Sequence, residues 1–116
     1  LQGFLHDPQV FFHRLPAGQM HLLENVVYLE LLRRKNRVNI GKMAEKEVDF
    51  VCQRGDERKY FQVCYMMGSE ETREREFSAL LSINDQYPKV VLSLDRIDFS
   101  SAGIVHKKIP KFLLED

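Results

Sequence analysis

Three residues of this chain could together hold a divalent cation. They are Glu24 in an apolar helical run, Asp49 in the strand-like Glu47-Val-Asp-Phe-Val51, and Gln62 in Tyr60-Phe-Gln-Val-Cys-Tyr65. Magnesium takes oxygen ligands in near-octahedral geometry and keeps several of its waters, so two or three protein oxygens suffice. Carboxylates from Glu24 and Asp49 and the amide oxygen of Gln62 would make such a set.

Those oxygens converge only if the surrounding elements bring them together. From Gly18 to Lys35 the residues Leu22, Leu23, Val26, Val27, Leu29 and Leu31 recur at helical spacing. Asn36 is suited to close that helix, where a residue able to adopt a left-handed backbone is favoured. Glu24 falls at the edge of the apolar stripe. Glu30 falls nearer its middle, either to pair with a buried arginine or to serve the site. The segments 37–42, 47–54 and 58–66 read as strands, the last two joined at Gly55-Asp56, residues that tolerate tight turns. A hairpin centred there sets Asp49 opposite Gln62 and Glu47 opposite Cys64. Alternation then gathers Val48, Phe50, Cys52, Phe61 and Val63 on a buried face. Glu47, Asp49, Gln62 and Cys64, with Val51 and Tyr60, share the other. An aspartate and a glutamine so placed also suit the solvated face of a half-exposed hairpin, and Glu24 also suits a rim salt bridge.

Further along, 70 to about 83 is helical, with Phe77, Leu80 and Leu81 as its apolar stripe and Ser69 as its cap. Residues 89–94 form a β-branched, apolar strand, 104–109 a further strand, and Pro110 opens a short helix through Leu114. The order α-β-β-β-α-β, then β and a small α, predicts an α/β domain with a mixed central sheet flanked by helices. Residues 1–17, with Pro8, Pro16 and the pair Phe11-Phe12, lack periodicity and read as a lead-in segment. Residues 18–116 are the domain. A chain opening on Leu1 is expected to be part of a longer protein, with a partner domain preceding it.

The chain has 116 residues, enough for one core, and an ordinary balance of 44% hydrophobic and 29% charged residues. Seventeen basic and 17 acidic residues cancel, so overall charge gives no argument for nucleic-acid binding. Locally, Arg33, Arg34, Lys35 and Arg37 gather at one helix end, and Glu70, Glu71, Glu74 and Glu76 lie in the later helix. Both placements complement helix dipoles, and either could instead form a binding patch. Cys52 and Cys64 fall on opposite sheet faces, which predicts two free thiols and a reducing cytoplasm. His6, His13, His21 and His106 are scattered, with no zinc spacing. No apolar run is long enough to span a bilayer, and no membrane partner is expected.

The run His21-Leu-Leu-Glu-Asn-Val-Val-Tyr-Leu-Glu-Leu-Leu-Arg-Arg34, with the two strand motifs, Glu70-Glu-Thr-Arg-Glu-Arg-Glu-Phe77 and Tyr87-Pro-Lys-Val-Val-Leu-Ser-Leu-Asp95, resembles a prokaryotic domain of unknown function that follows the ATPase module in a group of AAA+-type proteins. The resemblance covers roughly residues 18–115. That domain belongs with the PD-(D/E)XK nuclease-like fold of Holliday-junction resolvases and many restriction enzymes. The resemblance implies that Glu24, Asp49 and Gln62 match the helix acid, the strand acid and the first member of the (D/E)xK pair. It makes them the candidate catalytic and metal residues, with magnesium the cation if any is bound. Cys64 stands where the family has lysine. Losing that charge beside a phosphodiester removes on the order of several kcal/mol of electrostatic stabilisation. Lys59 points to the opposite face, and Lys42 is the conceivable substitute.

The resemblance and its departures together imply a degenerate, inactive site in an accessory domain that recognises nucleic acid or a protein, with the ATPase module of the same polypeptide as a partner. An active magnesium-dependent DNA endonuclease and a protein-interaction or dimerisation module are the alternatives. ATP belongs to the missing module, because Gly41-Lys42-Met43 lacks both the leading glycine and the hydroxyl residue of a GxxxxGKS/T loop.

Overall fold

The computed structural model describes residues 22–43 and 46–115. Helix α1 (Leu22–Arg33) turns Leu23, Val27 and Leu31 onto the sheet, with Glu24 in its first turn and Arg33 in its last. Its end is closed by the N–H of Lys35 on Leu32 O (2.9 Å) and that of Asn36 on Leu31 O (3.2 Å). Lys35, not Asn36, takes the left-handed position (φ 70°). Asn36 comes next and donates its side-chain amide to the Leu31 carbonyl at 3.0 Å. The residues expected at 18–21 and the lead-in at 1–17 lie outside the described residues.

Five strands form one sheet in chain order: β1 (Arg37–Met43), β2 (Lys46–Arg54), β3 (Glu57–Val63), β4 (Lys89–Ser93) and β5 (Val105–Lys108). The first three are antiparallel, and β3, β4 and β5 run parallel. The predicted α/β architecture with a mixed sheet is therefore present. Helix α2 (Glu70–Leu81) makes the crossover from β3 to β4, its start capped by the Ser69 side chain on the Thr72 N–H. Helix α3 (Ile109–Leu114) follows β5, with Pro110 in its first turn.

Helices cover both sheet faces. On one, Val27 and Leu31 of α1 and Ile109 and Phe112 of α3 bury Phe50, Cys52, Phe61 and Val63. On the other, Phe77 and Leu80 of α2 bury Val51, Tyr60 and Val91. Two-sided burial explains why Val90-Val-Leu92 reads as an unbroken apolar run. It also corrects the expectation of a half-exposed hairpin: Val51 and Tyr60, assigned to a polar face, are each 1% exposed.

The hairpin register is as predicted, from Phe50 opposite Phe61 to Arg54 opposite Glu57. Gly55 takes φ 60° at the first turn position, a conformation open to glycine at little cost. What differs is a bulge. Asn39 pairs with Val51 but Gly41 pairs with Val48, so Ile40 is opposed by two residues, Asp49 and Phe50. The extra residue reverses the alternation. Val48, expected beside Phe50, packs instead with Val51 against α2. Strand β3, expected to reach Met66, ends at Val63, although Cys64 N–H still bonds Leu92 O at 2.9 Å.

Arg34 ties the two helices of one face. Its Nε donates to Glu30 Oε2 at 2.6 Å, and Nη2 donates to the carbonyls of Phe112 (2.6 Å) and Glu115 (2.9 Å). The guanidinium lies over the Phe112 ring. Glu30 thus pairs with arginines and takes no part in the candidate cation site. Hydrogen bonds from Arg33 and Arg34 hold its carboxyl down at about 2. Arg34→Ala should lower stability by about 1–3 kcal/mol, since it leaves two carbonyls without their donor and removes one of the two arginines on Glu30, which keeps Arg33. Denaturant unfolding measures the loss, and hydrogen exchange should rise in 109–114 before it rises in the central strands.

Candidate functional site

Next to the bulge, β2 and β3 exchange backbone pairing for side-chain pairing. The Asp49 N–H donates to Gln62 Oε1 at 2.7 Å, and the Val63 N–H donates to Asp49 Oδ2 at 2.8 Å. Gln62 Nε2 reaches the Glu47 carbonyl at 3.5 Å. An extra residue leaves local amides without ladder partners, and a buried amide must find an acceptor. Asp49 and Gln62 supply two. The residues expected side by side are therefore side by side, with their oxygens turned on the protein's own backbone.

Burial pushes the Asp49 carboxyl up to about 7, against the lowering effect of the Val63 N–H, and Glu24, Glu76 and Glu47 raise it further. Burial also raises Glu76, against the pull of Arg75, and Glu24 adds to the rise. An acid from α1, one from β2 and one from α2 thus share an electrostatic neighbourhood. The sequence presents Glu76 only as one of several helix acids. Its spacing of four from both Thr72 and Leu80 is the available sign that it faces inward.

Glu47 does not oppose Cys64. It pairs with Lys42 across β1 and β2, is exposed, and lies beyond the point where the bulge breaks the hairpin register. Cys64 donates its thiol to Met66 O at 3.3 Å. Burial, aided by Glu76 and Asp95, raises that thiol to about 11, so the site gains neither cation nor thiolate there. Lys59 lies on the opposite face near Cys52, as expected. The Lys42 side chain lies outside the described residues. Both cysteines are free and lie in separate cores.

Magnesium does not fit this arrangement. No three acids, histidines or cysteines among the described residues approach closely enough to hold a metal. One Asp49 oxygen and the Gln62 carbonyl oxygen already accept backbone N–H groups, so neither side chain turns a full set of oxygens outward. No chemical step is therefore drawn through a metal.

A second polar cluster escaped sequence reasoning. Phe99 N–H donates to His106 Nδ1 at 2.9 Å, which places the ring proton on Nε2, 2.7 Å from Ser93 Oγ. Ser93 in turn donates to Asp95 Oδ2 at 2.7 Å, and that oxygen also accepts the Met67 N–H at 2.7 Å. All three side chains are buried, Ser93 completely. The carboxylate bonds the serine rather than the histidine, and the hydroxyl cannot meet a substrate, so this is not a nucleophilic triad. It anchors the loops that come after β3 and β4. Ser93 and Asp95 are two positions apart, but His106 stands thirteen from Ser93 and is brought to it by the parallel pairing of β4 with β5.

No family model matches the chain, and no solved structure matches it. It is similar to an uncharacterized protein of Haemophilus influenzae, 40% identical over 77 residues, which are 66% of this chain and 18% of that protein. The chain thus matches less than a fifth of the relative's length. Among the described residues, no helix is long and apolar enough to cross a membrane.

The site makes stability depend on pH in two ways. The folded state keeps a proton on Asp49 that the unfolded chain releases near pH 4. Its contribution to stability therefore falls as pH rises from about 4 to about 7 and is level above that. Asp49→Asn should flatten this dependence and raise stability at pH 8 by on the order of 1–3 kcal/mol, read from urea midpoints across pH. Burial depresses His106, so its contribution is present at high pH and lost as pH falls below about 6.5. His106→Ala should remove that acid loss and cost about 1–3 kcal/mol at pH 8 by leaving the Phe99 N–H without its acceptor.

Proposed function

We propose that this chain is a nuclease-fold accessory domain of a larger, ATPase-bearing prokaryotic polypeptide, with a degenerate cation site and a role in recognition of nucleic acid or a protein partner. The observation that carries the reading is the Asp49–Gln62 pair. Its position on adjacent strands, with Glu24 within electrostatic reach, is what a restriction-endonuclease-like site would leave behind. Its hydrogen bonds to the backbone and the neutral Cys64 thiol argue for loss of cleavage. The element order supports the fold assignment, and a bacterial relative extending far beyond the aligned stretch supports a larger polypeptide. Two unbridged thiols fit a cytoplasmic setting.

The decisive experiment is a cleavage assay on branched, single-stranded and duplex DNA with magnesium or manganese, beside calorimetry of the same ions. No nicking and no metal heat are expected. The double variant Gln62→Glu/Cys64→Lys, which restores a charge at each departed position, should show detectable divalent-ion binding. Nicking by the natural chain that Asp49→Ala abolishes would replace this reading with that of an active endonuclease.

A further inference from the structure

The basic cluster at the end of α1 has a structural context that its sequence does not disclose. Arg54 and Lys59 from the β2–β3 hairpin and Lys107 from β5 join Arg33 and Arg34 around one groove of about 630 Å³. Lys35 and Arg37 come immediately after on the chain, both exposed. Helix-dipole complementarity accounts for Arg33 and Arg34 but gives no reason for cations from three separate strands to meet there.

Pairing leaves an excess of positive charge. Arg33 and Arg34 share Glu30, Arg54 meets Glu57 at an exposed 3.4 Å, and Lys107 meets Glu115 at 2.9 Å. Lys35, Arg37 and Lys59 form no ion pair with another described residue. The acids of the vestigial site lie elsewhere. Glu24 and Arg33 stand nine positions apart on α1, roughly 13 Å along its axis. That exceeds the screening length of about 8–10 Å at ordinary salt, so the acidic site does not cancel the basic groove. The zero net charge of the chain hides two poles.

We infer that this groove, not the acidic site, is the surface that engages nucleic acid, and that its ligand is the sugar-phosphate backbone of a duplex. The inference rests on the recognition reading above and names its partner. An acidic protein partner would need an apolar or aromatic anchor at the centre of the contact. Here Phe61 and Phe112 are 4% and 2% exposed, and among the described residues the exposed apolar lining is Val105 and Pro88. With no accessible aromatic platform, bases of a single strand have nothing to stack on. Fixed cations around a polar rim suit regularly spaced phosphates, contacts that set position without reading sequence. The acidic site, lacking a cation, repels the same phosphates.

The test is fluorescence anisotropy of the whole chain with a labelled duplex and a matched single strand, from about 50 to 200 mM salt. Duplex binding should weaken with salt with a log–log slope of about −3, as for three or four phosphate contacts, and should exceed single-strand binding. The triple variant Arg33→Gln/Arg54→Gln/Lys59→Gln should lose at least tenfold in duplex affinity at low salt while its urea midpoint stays near that of the natural chain, Glu30 keeping Arg34. Glu76→Gln should leave affinity within about twofold or raise it. Equal binding by the triple variant would overturn the groove assignment, and so would the absence of salt-sensitive duplex binding by the natural chain. Either result leaves the cleavage and metal measurements as the separate judge of the degenerate-site reading.

Discussion

The two side-chain acceptors at the bulge, Gln62 taking the Asp49 N–H and Asp49 taking the Val63 N–H, are the constraint around which this domain is arranged. One extra residue in β2 leaves the ladder to β3 incomplete, and each side chain takes a backbone N–H that the ladder does not. The same extra residue sends Val48 to the α2 side, where it joins Val51, Tyr60 and Val91 in the second core. With α2 over it, Asp49 is drawn out of water and brought near Glu76. The altered acidity of the site follows from that burial. An aspartate used this way stabilises the fold best with its proton on, the opposite of what a cation ligand requires.

Much of this architecture is legible in the sequence because local chemistry and tertiary packing agree. Alternation and the Gly55-Asp56 turn give the hairpin register, and Ser69 and Pro110 mark helix starts that the structure keeps. The bulge is not, although Gly41 stands next to the residue it opposes and a glycine inside a strand is a recognised sign of one. Without the bulge, Val48 is placed on the wrong face, whereas Val51 and Tyr60 keep the expected face and only its cover by α2 is missed. Glu76 is hidden by three neighbouring acids in the same helix. The Ser93–Asp95–His106 cluster has no local signature, because its geometry comes from the register of two parallel strands. Of the candidate site, the proximity of Asp49 and Gln62 is readable from spacing, whereas the direction of their hydrogen bonds is not.

Charge in this molecule is organised by position rather than amount. Acids from α1, β2 and α2 lie around the bulge, and bases from α1, the hairpin and β5 lie around the groove at the other end of α1. Arg34 sits between these requirements. Holding Glu30 and two carbonyls at the C-terminal end of α3, it brings α3 against α1 and so builds one wall of the basic groove.

The outermost strand on the parallel side is only four residues long, and two of those are Lys107 and Lys108. Helix α3 begins at once behind it, carrying the chain off the plane of the sheet. A short, doubly charged border of this kind gives a neighbouring molecule little backbone to zip onto, and ammonium groups on both partners would repel as they approached. Fibril growth by sheet extension is therefore discouraged at that margin, leaving the domain free to display its charged surfaces at high local concentration without knitting into aggregates.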